Sequence, residues 1–473
     1  MIVLIRSKTS FGFYLTAPSL LGIISEESPT MLIHERPKDH PGATRGLCDL
    51  PTHLSRRRLL GAGGGWMLGN LATRLARAAE IKSDSGRPSP AVILLWMEGG
   101  PSQLETFDPK PGTLVGGDAR AIDTSVRGLQ IASTLPRVAE QMHRATLIRS
   151  MIGQEGDHER AMYHVKSGFR PDPTLVHPSI GSILCSADDS GADIPRHVSI
   201  LPGNWPARGG YLGARFDAFK TGDPRQPVPD VVPRVDDDRY LARLNDLSNV
   251  VEPNFRRGRL VDLQASRTLH AASTAAARRM MSSDQLSAFD VSHESTADRR
   301  AFGDHAFGRG TLAAARLVEV GVRCVEVTLG GWDSHVNNHS LQTSACEKLD
   351  TALSALLARL AERGLLESTV VVCGGEFGRT PRINPASGRD HWVHGFSTLV
   401  AGGGFRAGHV HGETAVDRDD QKPSAGVRDS VTIEDLHATI LHALGLDPTV
   451  ELDTPVGRPM KRSEGAVLHS LLT

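Results

Sequence analysis

Acidic residues and histidines follow apolar runs at several points of this chain, each time beside a pair of glycines or a single glycine. The clusters are Glu98 in MEGG, Asp333 and His335 in GGWDSH, Glu376 in GGEFG, and Asp390, His391 and His394 in GRDHWVHG. Carboxylates and neutral imidazoles crowded together suit a divalent cation, which oxygen and nitrogen ligands bind. A lone aspartate after a strand commonly caps a helix, so the prediction depends on the set. The set predicts a shared centre for divalent ions (zinc, calcium or manganese).

The apolar runs are predicted strands that alternate with helical patterns from Ser89 onward. Continuous apolar runs are expected for parallel strands buried on both faces. The predicted fold class is α/β, an open, mostly parallel sheet sandwiched by helices. Residues 81–473 are expected to form one domain, with a helical insertion near 236–300. Ligands of such sheets bind beyond the carboxyl ends of the strands, so the clusters should meet at one rim.

Composition narrows the classes of partner. The 53 lysines and arginines nearly balance the 54 aspartates and glutamates, so no nucleic-acid partner is indicated. The 39% hydrophobic content and 48 glycines are typical of a globular, loop-rich protein. The five scattered cysteines show no CxxC spacing and predict no disulfide framework.

The first eighty residues have a different character. The stretch HLSRRRLLGAGGGWMLGNLATRLARAAE contains Ser55, the twin arginines Arg56 and Arg57, and an A-x-A pattern that ends at Ala78. It resembles a twin-arginine export leader; a basic amphipathic helix is the alternative. Residues 1–30 form a doubtful upstream extension, because Met31 could be the start. We therefore expect a protein exported by the twin-arginine route to the periplasm or another extracytoplasmic space, with no stable membrane insertion after processing.

Five strings place the chain near a known family. MEGGPSQLETFDPKP, GGWDSH, GGEFGRTP, GRDHWVHGF and DLHATILHALGL closely resemble the bacterial family called domain of unknown function 1501. That family is grouped with sulfatases and alkaline phosphatases in the alkaline-phosphatase-like superfamily. The resemblance extends from Pro90 to the C-terminus.

The superfamily resemblance implies a two-cation site that hydrolyses phosphate or sulfate esters. By position it implies these ligands: Glu98 as the first acidic ligand, Asp333 and His335 for one cation, Glu376 for the other, and His394 or His391 to complete the first. Two cations would clamp the attacking and leaving oxygens of an in-line displacement. Arg379 is expected to bind equatorial oxygens of the anion, because a guanidinium group offers a bidentate fork.

The chain departs from the sulfatase pattern at the nucleophile. Sulfatases carry C-x-P-S-R-x-x-x-x-T-G-R, and the matching stretch here is HERAMYHVKSGFR, with His158 in place of the cysteine. A formylglycine mechanism is therefore excluded on this alignment. His158 is compatible with three roles, as phosphoryl-accepting nucleophile, metal ligand or general acid/base, or with a purely structural one. Ser102 offers a spare hydroxyl nucleophile or a helix cap, and Phe377 replaces the histidine expected after Glu376.

Two functions follow as expectations. The first is an exported, metal-dependent hydrolase of phosphate or sulfate esters that acts on a small anionic ester or on a sulfated or phosphorylated glycan. The alternative is a non-catalytic, metal-bearing relative that binds an anionic glycan or a partner protein. The retained ligand clusters favour the hydrolase, and the missing nucleophile favours the alternative.

We predict that residues 1–80 are dispensable for folding and are removed near Ala78. N-terminal sequencing of the protein from the periplasm should find a mature chain that begins close to that residue. A mature protein that still contained residues 2–55 would contradict the leader.

Overall fold

The computed structural model describes residues 89–188, 192–232, 235–246, 270–415 and 426–473. Contacts divide the chain into two units, Met1–Gly64 and Gly65–Thr473, and the first lies outside the described residues. The predicted leader lies outside them as well. Within the described residues, no helix combines the length and the apolar character that crossing a bilayer requires.

Helices and strands alternate along the described chain. The α-helices are α1 Pro136–Gln141, α2 His158–Ser167, α3 Ile180–Ala187, α4 Asp237–Asp246, α5 His270–Ser282, α6 Thr296–Phe302, α7 Ala306–Glu319, α8 Asn338–Glu362 and α9 Ile433–Ala443. The described parts of the predicted insertion near 236–300 contain α4, α5 and α6.

A central sheet organises the protein. Its strands are β1 Ala91–Met97, β2 Ala145–Ile152, β3 His197–Ile200, β4 Phe219–Thr221, β5 Cys324–Leu329, β6 Thr369–Gly374, β7 Phe396–Ala401, β8 His409–His411 and β9 Val431–Thr432. They lie in the order β8-β2-β7-β6-β1-β5-β3-β4, and β9 also pairs with β2. Among these described strands, β7 alone runs antiparallel to its neighbours. The predicted fold class is confirmed.

Four short antiparallel strand pairs lie outside the central sheet among the described residues. They are Ala121–Asp123 with Gln130–Ala132, Gly378–Arg379 with His391–Trp392, Glu413–Thr414 with Val427–Arg428, and Glu451–Leu452 with Met460–Lys461. The second pair is important for the site, because it joins two of the predicted clusters.

Strand β1 explains why helices cover both faces. Side chains alternate across a strand, and Ile93 and Leu95 pack in a core with α1, α7 and α8. Val92 and the partly buried Leu94 pack on the opposite side with α3 and α9. Fully burying side chains of this size contributes roughly 1.5–3 kcal/mol each, so a strand apolar at every position is stabilised by two helical layers.

Topology brings the clusters to one edge. Strands β1, β5 and β6 are adjacent and parallel, so Glu98, Asp333 and Glu376 follow them at the same carboxyl edge. Strand β2 runs in the same direction and delivers the segment before α2. Because β7 is antiparallel, its amino end lies at this edge, and the segment around Asp390 and His391 arrives there too.

A buried ion pair fixes α2 against the sheet. Lys166 Nζ, at the end of α2, lies 3.0 Å from Glu326 Oε2 on β5, and both side chains are buried. The ammonium also donates to the Trp205 carbonyl and lies 4.7 Å from the centre of the Trp96 ring. Ser199 Oγ donates to the other oxygen of Glu326. The pair thus holds the helix whose first residue is His158.

We predict that Lys166→Met lowers the free energy of unfolding by roughly 3–5 kcal/mol, because it leaves the Glu326 carboxylate buried without its cation. Denaturant titration measures this change. The matched control is Lys461→Met, since Lys461 pairs with Glu464 on the exposed surface, where ion pairs contribute little. Equal effects of the two substitutions would contradict the role of the buried pair.

Candidate metal centre

The loop after β5 carries Asp333, and a buried arginine holds its carboxylate. Arg379 Nη2 donates to Asp333 Oδ1 at 2.7 Å. The same guanidinium group donates to the carbonyl oxygens of Gly99, Gly100 and Arg389. The Asp333 side chain is 50% exposed, so its carboxylate is held by a buried arginine on one side and remains accessible to solvent on the other.

Glycine 99 allows this close approach. A Cβ atom there would lie 2.6 Å from Asp333 N, and the residue has φ of +116°. Only glycine adopts such a conformation readily and leaves that space free. The glycine pair after β1 therefore lets two strand ends touch.

His158 stands at the start of α2, which Asp157 caps by accepting from Arg160 N. Its Nδ1 lies 2.7 Å from Glu376 Oε1, which also accepts from Gly99 N. A carboxylate accepts, so Nδ1 carries the hydrogen. His158 Nε2 is buried without a hydrogen-bond partner and lies 3.5 Å from Asp333 Oδ2.

Two further imidazoles point at the same carboxylate. His335 Nδ1 lies 2.9 Å from Asp390 Oδ1, and His391 Nδ1 lies 2.8 Å from the carbonyl oxygen of Gly156. The Nε2 atoms of His335 and His391 lie 3.2 Å and 3.6 Å from Asp333 Oδ1. These two Nε2 atoms are 3.0 Å apart.

The three histidines share one arrangement. Each directs Nδ1 at an oxygen acceptor, which selects the Nδ1–H tautomer and leaves a lone pair on Nε2 in the neutral ring. An acceptor behind the ligating imidazole is the usual outer shell of a metal site. A proton shared between His335 and His391 can bridge two of these lone pairs, whereas a divalent cation would be held by His158, His391 and Asp333.

The spacing fits a small cation. Ligand atoms of His158, Asp333 and His391 all lie within 4.8 Å of one another, and the closest contacts to Asp333 are 3.2–3.6 Å. Four ligands held about 2.0–2.1 Å from zinc in a tetrahedron are about 3.3–3.4 Å apart. The group that meets this spacing among the described residues offers two nitrogens and one oxygen, a set that suits a borderline ion such as zinc, and His335 Nε2 lies beside it at 3.2 Å from Asp333 Oδ1.

The protonation equilibria reflect the same contacts. The hydrogen bond to Glu376 raises the pKa of His158, although burial acts the other way. Burial lowers the pKa of His391. Burial also acts to raise the pKa of Asp333, but the hydrogen bond and charge of Arg379, together with the nearby histidines, hold it below its usual value. Because the pKa of His158 is raised, a cation that binds there competes with a proton.

Four of the predicted site residues therefore come together: His158, Asp333, His335 and His391. Glu376 lies directly beneath them, but its Oε1 is engaged with Gly99 N and His158, and its Oε2 is buried without a hydrogen-bond partner. In this geometry Glu376 orients a ligand. Glu376 is not a member of the group of possible ligands formed by His158, Asp333 and His391.

The structure places three other candidates differently from our expectation. Glu98 turns away, since its Oε1 accepts from Asn204 N. The Arg379 guanidinium is buried and engaged with protein oxygens, so it does not present a free fork to an anion. Ser102 is buried in turns, where no helix begins, and its hydroxyl donates to Glu105.

His394 and Phe377 do not join the group of ligand atoms. His394 lies just before β7 and is outside the group of converging ligand atoms. Phe377 is fully buried, and its ring centre lies 4.4 Å from that of His391 and 5.0 Å from that of His158. An apolar ring thus fills the position where a second ligand histidine was expected.

Two contributors were missed as site residues from the sequence. Asp390 was placed in a cluster but was given no role of its own, and it orients His335. Gly156 contributes only its carbonyl oxygen, which no sequence pattern marks. The available signal was the position of Asp390, which directly precedes His391 at the start of the two-residue strand His391–Trp392.

The amino-acid sequence from residue 89 to residue 472 matches the model of a family described as protein of unknown function (DUF1501). The chain belongs to this family. The family predicted from the five strings is therefore confirmed. Among curated proteins, this DUF1501 member has no significant match.

Solved structures with partial likeness to this DUF1501 protein are distant. One is a protein in the alkaline phosphatase superfamily from Vibrio parahaemolyticus, with 12% identity and a TM-score of 0.36 over 76% of this chain and 67% of that chain. Another is the PsFucS1 sulfatase from Pseudoalteromonas sp., with 14% identity and 0.34 over 79% and 70%. A third is the C-terminal periplasmic domain of EcEptC from Escherichia coli in complex with Zn, with 12% identity and 0.36 over 83% and 94%.

We predict that zinc affinity falls in two tiers, as a competition titration with a chromophoric chelator would measure. Asp333→Ala removes a ligand and should abolish binding. Glu376→Gln keeps an acceptor for His158 Nδ1–H and should weaken binding by about 10–100-fold, as outer-shell changes do.

His411→Ala serves as the control for this titration, because His411 lies on the edge strand β8. It should bind zinc like the wild type. If Glu376→Gln lost as much affinity as Asp333→Ala, Glu376 would have to be a direct ligand.

Proposed function

We propose that this protein is an exported, metal-dependent hydrolase of phosphate or sulfate esters. One observation carries the proposal: the Nε2 atoms of three histidines lie 3.2–3.6 Å from the Asp333 carboxylate at the carboxyl edge of the sheet. A divalent cation held by these groups would polarise an ester oxygen and activate water at neutral pH.

The chain's own residues prepare the site for an ester. Glu376, Asp390 and the Gly156 carbonyl fix the three imidazoles. Arg379 holds the Asp333 carboxylate by a hydrogen bond. The buried Phe377 ring packs on the protein side of the imidazoles. Asp333 and His335 are about half exposed, so the ester can approach from the rim.

Water is the nucleophile in this proposal. Ser102 is engaged with Glu105, and His158 Nε2 is buried among the ligand atoms, where a substrate phosphorus or sulfur atom has no access. Of the three roles considered for His158, the geometry favours that of metal ligand. Attack by water cleaves the bond between phosphorus or sulfur and the ester oxygen, which leaves as an alcohol once protonated.

The non-catalytic alternative has one observation in its favour. The site holds no accessible side-chain nucleophile among the described residues, so the same rim could bind an anionic glycan without cleaving it. A protein that bound zinc and sulfated glycans but hydrolysed no ester would support this alternative.

The test is a screen of aryl sulfates, aryl phosphates and aryl phosphodiesters with the zinc-loaded protein. We expect hydrolysis that a chelator abolishes and that zinc restores. His158→Ala should reduce kcat/KM at least about 100-fold, and its thermal midpoint is measured alongside, because His158 is also the partner of the buried Glu376 carboxylate.

His411→Ala is again the control and should keep full activity. A His158→Ala variant with unchanged hydrolysis would remove His158 from the mechanism. A variant destabilised by several kcal/mol would instead assign it a structural role.

A further inference from the structure

The residues around Asp333 limit how many cations the centre can hold. The superfamily resemblance implies two, but the described residues bring together a single group of ligand atoms. The superfamily resemblance implies a histidine ligand for the second cation directly after Glu376, and the residue at that position is Phe377, which is fully buried. A Cβ atom on Gly100 would lie 2.5 Å from the Phe377 ring, so the ring is tightly enclosed and cannot easily move aside.

A guanidinium group stands in place of the second cation. Arg379 Nη2 lies 2.7 Å from Asp333 Oδ1, on the protein side of that carboxylate. A second divalent ion that shared Asp333 would meet this buried positive charge at close range. Arg379 is anchored by three backbone carbonyls, so it cannot withdraw.

The formal charges then set what the site can accept. Asp333, Glu376 and Asp390 contribute three negative charges, and Arg379 contributes one positive charge. The remaining two negative charges are neutralised by one divalent cation. A second divalent cation would give the centre a net charge of two positive, which would match the charge of a dianionic phosphate monoester. Among the described residues, Arg379 is the one lysine or arginine that forms an ion pair with Asp333, Glu376 or Asp390.

We propose that the centre binds a single divalent cation, with Arg379 in the place of a second one, and that it therefore selects esters carrying one negative charge. Sulfate monoesters, phosphodiesters and phosphonate monoesters have this charge. Phosphate monoesters, which are dianions above neutral pH, are poor ligands. This selectivity rests on the proposed function, whereas the cation count does not.

The cation count is measured on the full chain. The protein is loaded with zinc, freed of excess by gel filtration and analysed by mass spectrometry of the metal. We expect one zinc per chain for the wild type and none for Asp333→Ala. Two zinc ions per chain would overturn the proposal.

The charge preference is measured by calorimetry with two probes that the protein does not need to cleave. Phenylphosphonate is a dianion at pH 8, and its monomethyl ester is a monoanion. We expect the zinc-loaded protein to bind the monoanion about tenfold more tightly. Asp390→Asn removes one negative charge but keeps an acceptor for His335 Nδ1–H, so it should narrow this ratio. Glu464→Gln, on the exposed surface, should leave the ratio unchanged.

Tighter binding of the dianion by the wild type would overturn the proposal, and so would a ratio that Asp390→Asn and Glu464→Gln leave equally unchanged. These outcomes are separate from the hydrolase function. A protein with one zinc and a monoanion preference that cleaved no ester would sink the hydrolase but keep the charge selectivity. A hydrolase that preferred phosphate monoesters would do the reverse.

Discussion

The buried guanidinium of Arg379 is the constraint on which the carboxyl edge of the sheet depends. A buried charge is costly unless its donors are used, and Arg379 uses them on Gly99, Gly100, Arg389 and Asp333. Its contacts join the segment after β1, the segment after β5 and the segment before β7. These strand ends are consequently held in one arrangement before any ligand binds.

The histidines add a second set of cross-links between the same segments. His158 follows β2 and is oriented by Glu376 after β6. His391 precedes β7 and is oriented by the segment after β2, through the Gly156 carbonyl. His335 after β5 is in turn oriented by Asp390. Each imidazole thus depends on an acceptor from another segment, so the centre exists only when the antiparallel β7 returns the chain to this edge.

The sequence predicted the edge well and the side-chain directions poorly. Strand ends follow from apolar runs and glycine pairs, and they located Asp333, His335 and His391 at the carboxyl edge of the sheet. Direction depends on contacts with distant segments, which a local pattern does not contain. Glu98 is the clearest case: a Cβ on Gly203 would lie 1.9 Å from its carboxylate, so Glu98 fills a space that only a glycine from the segment after β3 leaves open. Arg379 was expected to bind an anion and does not present a free guanidinium group. Its burial depends on contacts with three distant segments, which the local sequence does not show.

The difference in exposure across the centre defines the side from which a ligand must come. Glu376, Arg379 and Phe377 are fully buried and form the floor. Asp333, His335 and Asp390 are each roughly half exposed and form the rim. A cation bound among the Nε2 atoms would have protein on the floor side and solvent on the rim side. A ligand must therefore approach past Asp390 and His335, and the Asp390 carboxylate would repel a second negative charge on it. The aspartate that orients the His335 imidazole therefore also contributes to the negative charge at the entrance to the centre.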